Sequence, residues 1–477
     1  MKKVFIILAI LILFIFLLFI FFFKEEKIRI DHIFLITIDT LRADHLSCYG
    51  YPRKTSSFLD SLAEKGVLFE KAISQSATTC PSHASIFTGL YPFQHRVLSN
   101  AYVLDDSYTT LAEILREKGI RTAAFTSTDI HFQSSNIDQG FEFYEEPIDI
   151  KRIYGYKYRP AKHTINNAII WLYNFDPKEK LFLWIHLFDP HLPYKPPRKH
   201  YKTIDKQMTK KDFLEYLQKY NFNLEIFDND PNKMYRYITN YDAEIKYVDE
   251  ELERLNNVLK KMGLNKNSLW IITSDHGEGL GQHDWLKHGK LLYQEEIHIP
   301  LIFYFSGSKI KPVRIKEVVE NSDIFSTVLE IFKVKNDKKN QKDVKAISLW
   351  TKIKKPASSL QRKFAFSERR YYSEREKIKK NYRIWEKAWE EGNKYSIQNR
   401  YLKYIFKTKL EDELYHLKED PYELLNLIKS SRFTEEKTNL KNELFEIISK
   451  RTKYKNLKLQ EKSRKIIEKL KSLGYVR

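Results

Sequence analysis

Leu269-Trp270-Ile271-Ile272-Thr273-Ser274-Asp275-His276-Gly277-Glu278-Gly279-Leu280-Gly281-Gln282-His283 is the stretch whose reading decides the fold. Its apolar start, closed by turn residues, predicts a buried strand over 269–273. The strand ends on a carboxylate and an imidazole side by side, an oxygen and a nitrogen donor suited to one divalent ion. Gly277 is expected to ease the turn so that both face it. Open parallel sheets bind ligands at the carboxyl ends of their strands, so Asp275 and His276 mark a candidate site on the rim of a sheet. Working outward, 33–38 reads as another buried strand, ending at Asp39. Strand patterns at 67–71, 122–126, 181–187 and 299–305 alternate with helical patterns at 57–65, 111–118, 165–173 and 242–262. Such alternation predicts an α/β fold with a large, mostly parallel sheet flanked by helices.

A second informative stretch is Ala77-Thr78-Thr79-Cys80-Pro81-Ser82-His83-Ala84-Ser85-Ile86-Phe87-Thr88-Gly89. Pro81 suits the first position of a helix, which would leave Thr79 just outside the helix N-terminus, where free N–H groups and the dipole can hold an anion such as sulfate or phosphate. His83, about one turn on, can face the same anion or make a structural hydrogen bond.

The N-terminus stands apart. Residues 4–23 are an unbroken apolar run, preceded by Lys2 and Lys3 and without a small-residue cleavage site. About 20 such residues cross a bilayer, so the expectation is one uncleaved transmembrane helix within residues 1–28, with the body outside the cytoplasmic membrane. The formal charge is +20. Its densest stretches, 198–211, 335–345 and 450–471, read as solvated faces, or as surfaces drawn to an anionic membrane or a polyanionic substrate. No nucleic-acid signature accompanies the charge, so no nucleic-acid partner is expected. Two cysteines, Cys48 and Cys80, exclude a disulfide framework.

The catalytic body is expected over 29–340, with a surface insertion at about 200–235. A smaller C-terminal α+β subdomain is expected over 341–477, with an antiparallel sheet from 364–367, 401–406 and 413–417 and a terminal helix.

Several motifs resemble the sulfatases of the alkaline phosphatase superfamily. Ser274 to His283 matches the family's S-D-H-G-E-x-L-G-x-H, His186-Leu187-Phe188-Asp189-Pro190-His191-Leu192-Pro193-Tyr194 its H-x-x-D-P-H-x-P-Y, and Lys287-His288-Gly289-Lys290 the start of its H-G-x-x-L-Y passage. Residues 412–427 resemble its E-L-Y-D-L-x-x-D-P-x-E-x-x-N-L block. The stretch around Thr79 is similar to the signature C-x-P-S-R, with Thr79 at the nucleophile position and His83 at the Arg position. The resemblance implies an alkaline phosphatase-like fold, a metal held by Asp39, Asp275, His276 and Thr79, and Ca²⁺ as the ion. An imidazole donor also suits Mn²⁺ or Zn²⁺, and Mg²⁺ stays open. It implies catalytic contacts from His191 and His288, a leaving-group proton from His191 or His283, and substrate binding by Lys287, Lys290 and His186. Formylglycine is not expected, because Cys80 lies one residue too close to Pro81. The substrate class is a sulfate ester, with a phosphate ester of a lipid or envelope polymer as the alternative and a non-catalytic ester binder as a third reading. Oligomeric state is not legible.

Overall fold

The computed structural model describes residues 28–451 apart from 101, 129–131, 133–134, 148–157, 309, 336–343 and 370–391. A nine-stranded sheet carries the fold, in the order β4-β3-β5-β1-β6-β8-β2-β7, with β9 also paired to β2. The strands are β1 (His32–Ile38), β2 (Val67–Ile73), β3 (Arg121–Thr126), β4 (Phe143–Glu145), β5 (Leu181–Leu187), β6 (Ser268–Ser274), β7 (His298–Ile299), β8 (Leu301–Ser306) and β9 (Val313–Glu320). The central runs are apolar throughout because both faces are covered. On β1, Phe34, Ile36 and Ile38 pack into one core and Ile33 and Leu35 into the other. β5 divides likewise, with Leu183 and Ile185 on one side and Phe182 and Trp184 on the other.

The sheet is mixed, with parallel pairings in the majority as expected. β1 runs parallel to β5 and β6, and β3 to β5, but β8 is antiparallel to both β6 and β2. No crossover helix carries the chain back after β6, so β8 starts at the edge where β6 ended and must run the other way.

The 200–235 stretch, read as a surface insertion, is helical and packs a few side chains inward. It forms helices Arg198–Asp205 and Lys210–Lys219 and the start of Pro231–Lys261, opened by Asp230, whose side chain accepts from the Asn232 N–H at 2.9 Å. Ile204, Phe213, Leu217 and Phe222 are buried.

The smaller sheet is antiparallel, in the order β10 (Ala365–Glu368), β11 (Lys394–Gln398), β12 (Leu402–Lys407) and β13 (Glu413–His416). Helix Thr434–Ser449 covers it through Leu440 and Leu444, in a core shared with Tyr91 and Phe93. Leu349, Trp350 and Ile353 still belong to the large-sheet core, beyond the polar stretch at which the sequence reading divided the chain. Among the described residues no helix is long and apolar enough to cross a membrane. The expected span at 4–23 lies outside the described residues.

Candidate active site

Asp39, the first residue after β1, and Asp275 and His276, directly after β6, meet at the carboxyl edge of adjacent strands. The Ser274 hydroxyl pins the two ends together, donating to Ile38 O at 2.7 Å and accepting from Leu41 N at 3.0 Å. Thr40 N turns to Asp275 Oδ1 at 3.3 Å, and the Ser82 hydroxyl holds Asp275 O at 2.7 Å. Gly277 is required for close packing more than for turn freedom, since a Cβ there would lie 2.0 Å from Glu295 O.

The donor set fits a cation. Ligand atoms of Asp39, Asp275 and His276 lie within 4.8 Å of one another. Both oxygens of Asp39, Oδ2 of Asp275 and Nε2 of His186 are buried without a hydrogen-bond partner among the described residues. Buried polar atoms in folded proteins are nearly always partnered, so such a group of orphans facing one point calls for an ion. Burial and the neighbouring Asp275 charge push the Asp39 carboxyl well up. Asp275 is pulled down to about 2, where burial is outweighed by His276, His83 and His186. His276 Nδ1 donates to Gly277 O at 2.9 Å, so its Nε2 lone pair faces Asp39 Oδ1 at 3.8 Å and Asp275 Oδ2 at 3.5 Å.

His186, for which the resemblance implied substrate binding, lies beside this set. Burial holds His83 neutral, at about 3. His83 Nδ1 donates to Thr79 O at 2.9 Å, so its Nε2 must accept from the Thr37 hydroxyl at 3.1 Å. Thr37 Oγ1 therefore has no proton left for His186, whose Nδ1 donates to it at 3.0 Å. The His186 Nε2 lone pair then points at Asp39 Oδ2, 3.6 Å away, a repulsive pairing that a cation between them would relieve. His83 itself has both nitrogens bound by protein, so it positions Thr79 and does not face an anion.

Thr79 is the first residue of helix Thr79–Thr88, with Thr78 in extended conformation before it and Pro81 in the first turn. That corrects the placement of Thr79 just outside the helix. Its Oγ1 lies 3.3 Å from His276 Nε2. Cys80 turns into the apolar core beside Phe87 and Phe132, and burial pushes its thiol up to about 12.

His288 lies over the same point, its ring 4.4 Å from that of His276 and 5.1 Å from that of His191. Its Nδ1 is 3.1 Å from Glu278 Oε1. Sequence reasoning quoted Glu278 without singling it out. The carboxyl is wholly buried, receives the Tyr194 hydroxyl at 3.4 Å and is pushed up to about 7 by burial, tempered by His191, His276 and Lys287. The missed signal was a carboxylate flanked by glycines immediately after a ligand pair. Burial and His288 hold His191 neutral, at about 3, and its Nδ1 donates to Leu192 O at 2.7 Å. It therefore does not stand as the protonated acid that was expected. Of the two lysines, Lys287 places its charge on Glu278, while the Lys290 ammonium lies 4.9 Å from the centre of the Trp285 ring.

His283 is not part of the cluster. Its Nδ1 bonds Glu295 Oε1 at 2.7 Å, its Nε2 bonds Glu423 O at 3.1 Å, and its ring stacks on Tyr293 at 3.8 Å. Burial opposes its charge, but Glu295 pushes its pKa up to about 9. It fastens the loop after the ligands to the C-terminal segment and has no nitrogen free to protonate a leaving group.

Comparison with known proteins gives the family. The chain matches the family model described as Sulfatase over residues 31–334 and that of the N-sulphoglucosamine sulphohydrolase C-terminal region over 281–450. An arylsulfatase of Clostridium perfringens is 24% identical over 467 residues, covering 85% of this chain and 91% of its own. A protein solved in complex with its substrate D-glucosamine-2-N,6-O-disulfate superposes with a TM-score of 0.71 at 20% identity, covering 90% of this chain and all of its own. The phosphonate monoester hydrolase of Agrobacterium radiobacter gives a TM-score of 0.70 at 21% identity, covering 88% of this chain and 96% of its own. With an alkaline phosphatase-like fold and the family model spanning more than half its length, the chain belongs to the sulfatase family and is an ester hydrolase.

Proposed function

We propose that this chain is a metal-dependent sulfuric ester hydrolase that attacks its substrate with Thr79 Oγ1 and works outside the cytoplasmic membrane, tethered by residues 4–23. The observation that carries the reading is the convergence of unpartnered Asp39 and Asp275 oxygens and the His186 and His276 nitrogens beside the Thr79 hydroxyl. A divalent cation held by Asp39, Asp275, His276 and His186 would supply Lewis acidity, favouring the Thr79 alkoxide and offsetting charge on the ester oxygens. The dipole at the N-terminal turn of helix Thr79–Thr88 favours charge on the same oxyanion. With its hydroxyl proton released to solvent, Thr79 Oγ1 forms a bond to sulfur as the bond from sulfur to the alcohol breaks. The departing oxygen takes its proton from the His288–Glu278 pair, whose carboxyl holds a proton near neutrality. Water then cleaves the threonyl ester to release sulfate.

Thr79 itself favours a second reading, a phosphate or phosphonate ester. A formylglycine hydrate expels sulfate by collapsing to an aldehyde, whereas a threonyl ester must be hydrolysed directly, which suits phosphoryl chemistry better. The comparison of kcat/KM for paired aryl sulfate, phosphate and phosphonate esters decides between them. Preference for the sulfate supports the first reading, and preference for a phosphorus ester moves the assignment to the second. Protein that holds metal but turns over no ester supports a non-catalytic binder. Thr79→Ala that retains turnover overturns the nucleophile, and peptide mass spectrometry over 77–92 is expected to find Thr79 and Cys80 unmodified.

A further inference from the structure

The edge of the large sheet opposite the candidate site has its own chemistry. β1, β3, β5 and β6 all begin there, held in register by Asp31 N to Asn267 O, Leu181 N to Asp31 O and Arg121 N to Lys180 O. β8 ends there against the start of β6, and β9 begins there beside β2. The turns along this edge carry exposed Arg29, Lys118, Lys180, Lys266, Lys311 and Lys333. The exposed acids among them are Glu64, Glu117, Glu142, Asp176 and Glu330, and Arg29 pairs with Asp31 at 2.8 Å. Helix Ala161–Leu172 also ends at this edge, where Ile170 is 63% and Tyr173 69% exposed. An aromatic ring with a polar tip among cations is the side-chain mixture that suits a membrane–water boundary. Ile28, the first described residue, leads into β1 at this same edge, and the apolar run 4–23 lies just upstream in the sequence.

We infer that this basic edge is a docking surface for an anionic bilayer, and that the enzyme stands on it with its catalytic edge turned away. The inference rests on the tethering in the proposed function for its placement, and on the charge and topology of the edge for its surface. Each Lys or Arg near an anionic leaflet adds to the attraction, which fades within a Debye length. β1 has seven residues, so Asp39 stands about 23 Å beyond the docking edge at the rise of a strand. A site held at that distance and facing outward meets esters on soluble or polymeric anions and is kept from the headgroups of the bilayer that carries it.

The full chain in nanodiscs of neutral phosphatidylcholine, with or without phosphatidylglycerol, tests this by hydrogen exchange. In the anionic discs exchange at 116–121, 178–181 and 262–267 is expected to slow about 10-fold, as for a surface held by several cations, with 189–195 and 280–290 unchanged. Lys180→Glu combined with Lys266→Glu and Lys311→Glu should abolish that protection and leave aryl ester turnover unaffected. Protection at 189–195 and 280–290, or equal protection in neutral and anionic discs, overturns the inference. Chain that does not enter the discs refutes the tether instead, and the same exchange measured with added anionic vesicles then decides for or against the edge.

Discussion

Two buried clusters of charge in this molecule look alike in composition and differ in completeness. Beneath the small sheet, Arg362 pairs with Asp323 at 2.5 Å and Glu320 at 2.8 Å, and those carboxylates also accept from Ile347 N, Phe366 N and the Tyr91 hydroxyl. At the carboxyl edge of β1 and β6, both Asp39 oxygens and Asp275 Oδ2 have no hydrogen-bond partner among the described residues and face histidines and each other. A buried charge with its partners in place ties parts of a fold together, whereas buried charges aimed at a shared gap specify a ligand. The Arg362 cluster joins the two sheets. The Asp39 cluster waits for something the chain does not contain.

Asp275→Asn tests that contrast hardest. It should lower kcat by about 10³-fold or more by removing an ion ligand. Chelator lowers the melting temperature of the parent protein but should not move that of the variant. An active Asp275→Asn enzyme, or one whose melting temperature falls with chelator as the parent's does, breaks the comparison. Arg362→Leu should do the reverse, costing about 3–5 kcal/mol in denaturant unfolding by leaving two buried carboxyls unpaired. The kcat of its folded fraction should stay within a few-fold of the parent.

His283 sharpens the contrast through pH. Its folded pKa of about 9 lies above the ordinary value of 6.5, so its contribution is complete below pH ~6.5 and is lost as pH rises through ~9. Unfolding free energy should fall by about 2–3 kcal/mol between those limits. The slope should flatten in His283→Gln, while the ester-hydrolysis rate at pH 7 persists. A His283→Gln protein that folds but loses turnover selectively would return this residue to the catalytic set.

Much of the fold was legible because the central strands are covered on both faces. Residues 33–38, 181–187 and 269–273 are apolar without interruption, and each was read within a residue or two of β1, β5 and β6. β9, with exposed positions Arg314 and Lys316, and β11, ahead of its partner β12, carried weaker patterns and were not read. In the site, Asp39, Asp275, His276 and Thr79 were identified because each follows a strand or starts a helix in a recognisable motif. The histidines were harder. A motif shows that an imidazole is present but not which atoms meet its two nitrogens.

The sequence by itself determined the α/β class, the positions of the strand ends and the carboxylate and imidazole donors at them, since these follow from local periodicity and from adjacent residues. Tertiary structure decided the sense of β8, the packing of Phe213, Leu217 and Phe222 in the 200–235 stretch and the division of labour among His83, His186 and His283. Those outcomes depend on contacts such as Thr37 with His186, 149 residues apart, and His283 with Glu423, 140 residues apart. An imidazole is base, ligand or fastener according to the partners that folding brings to it.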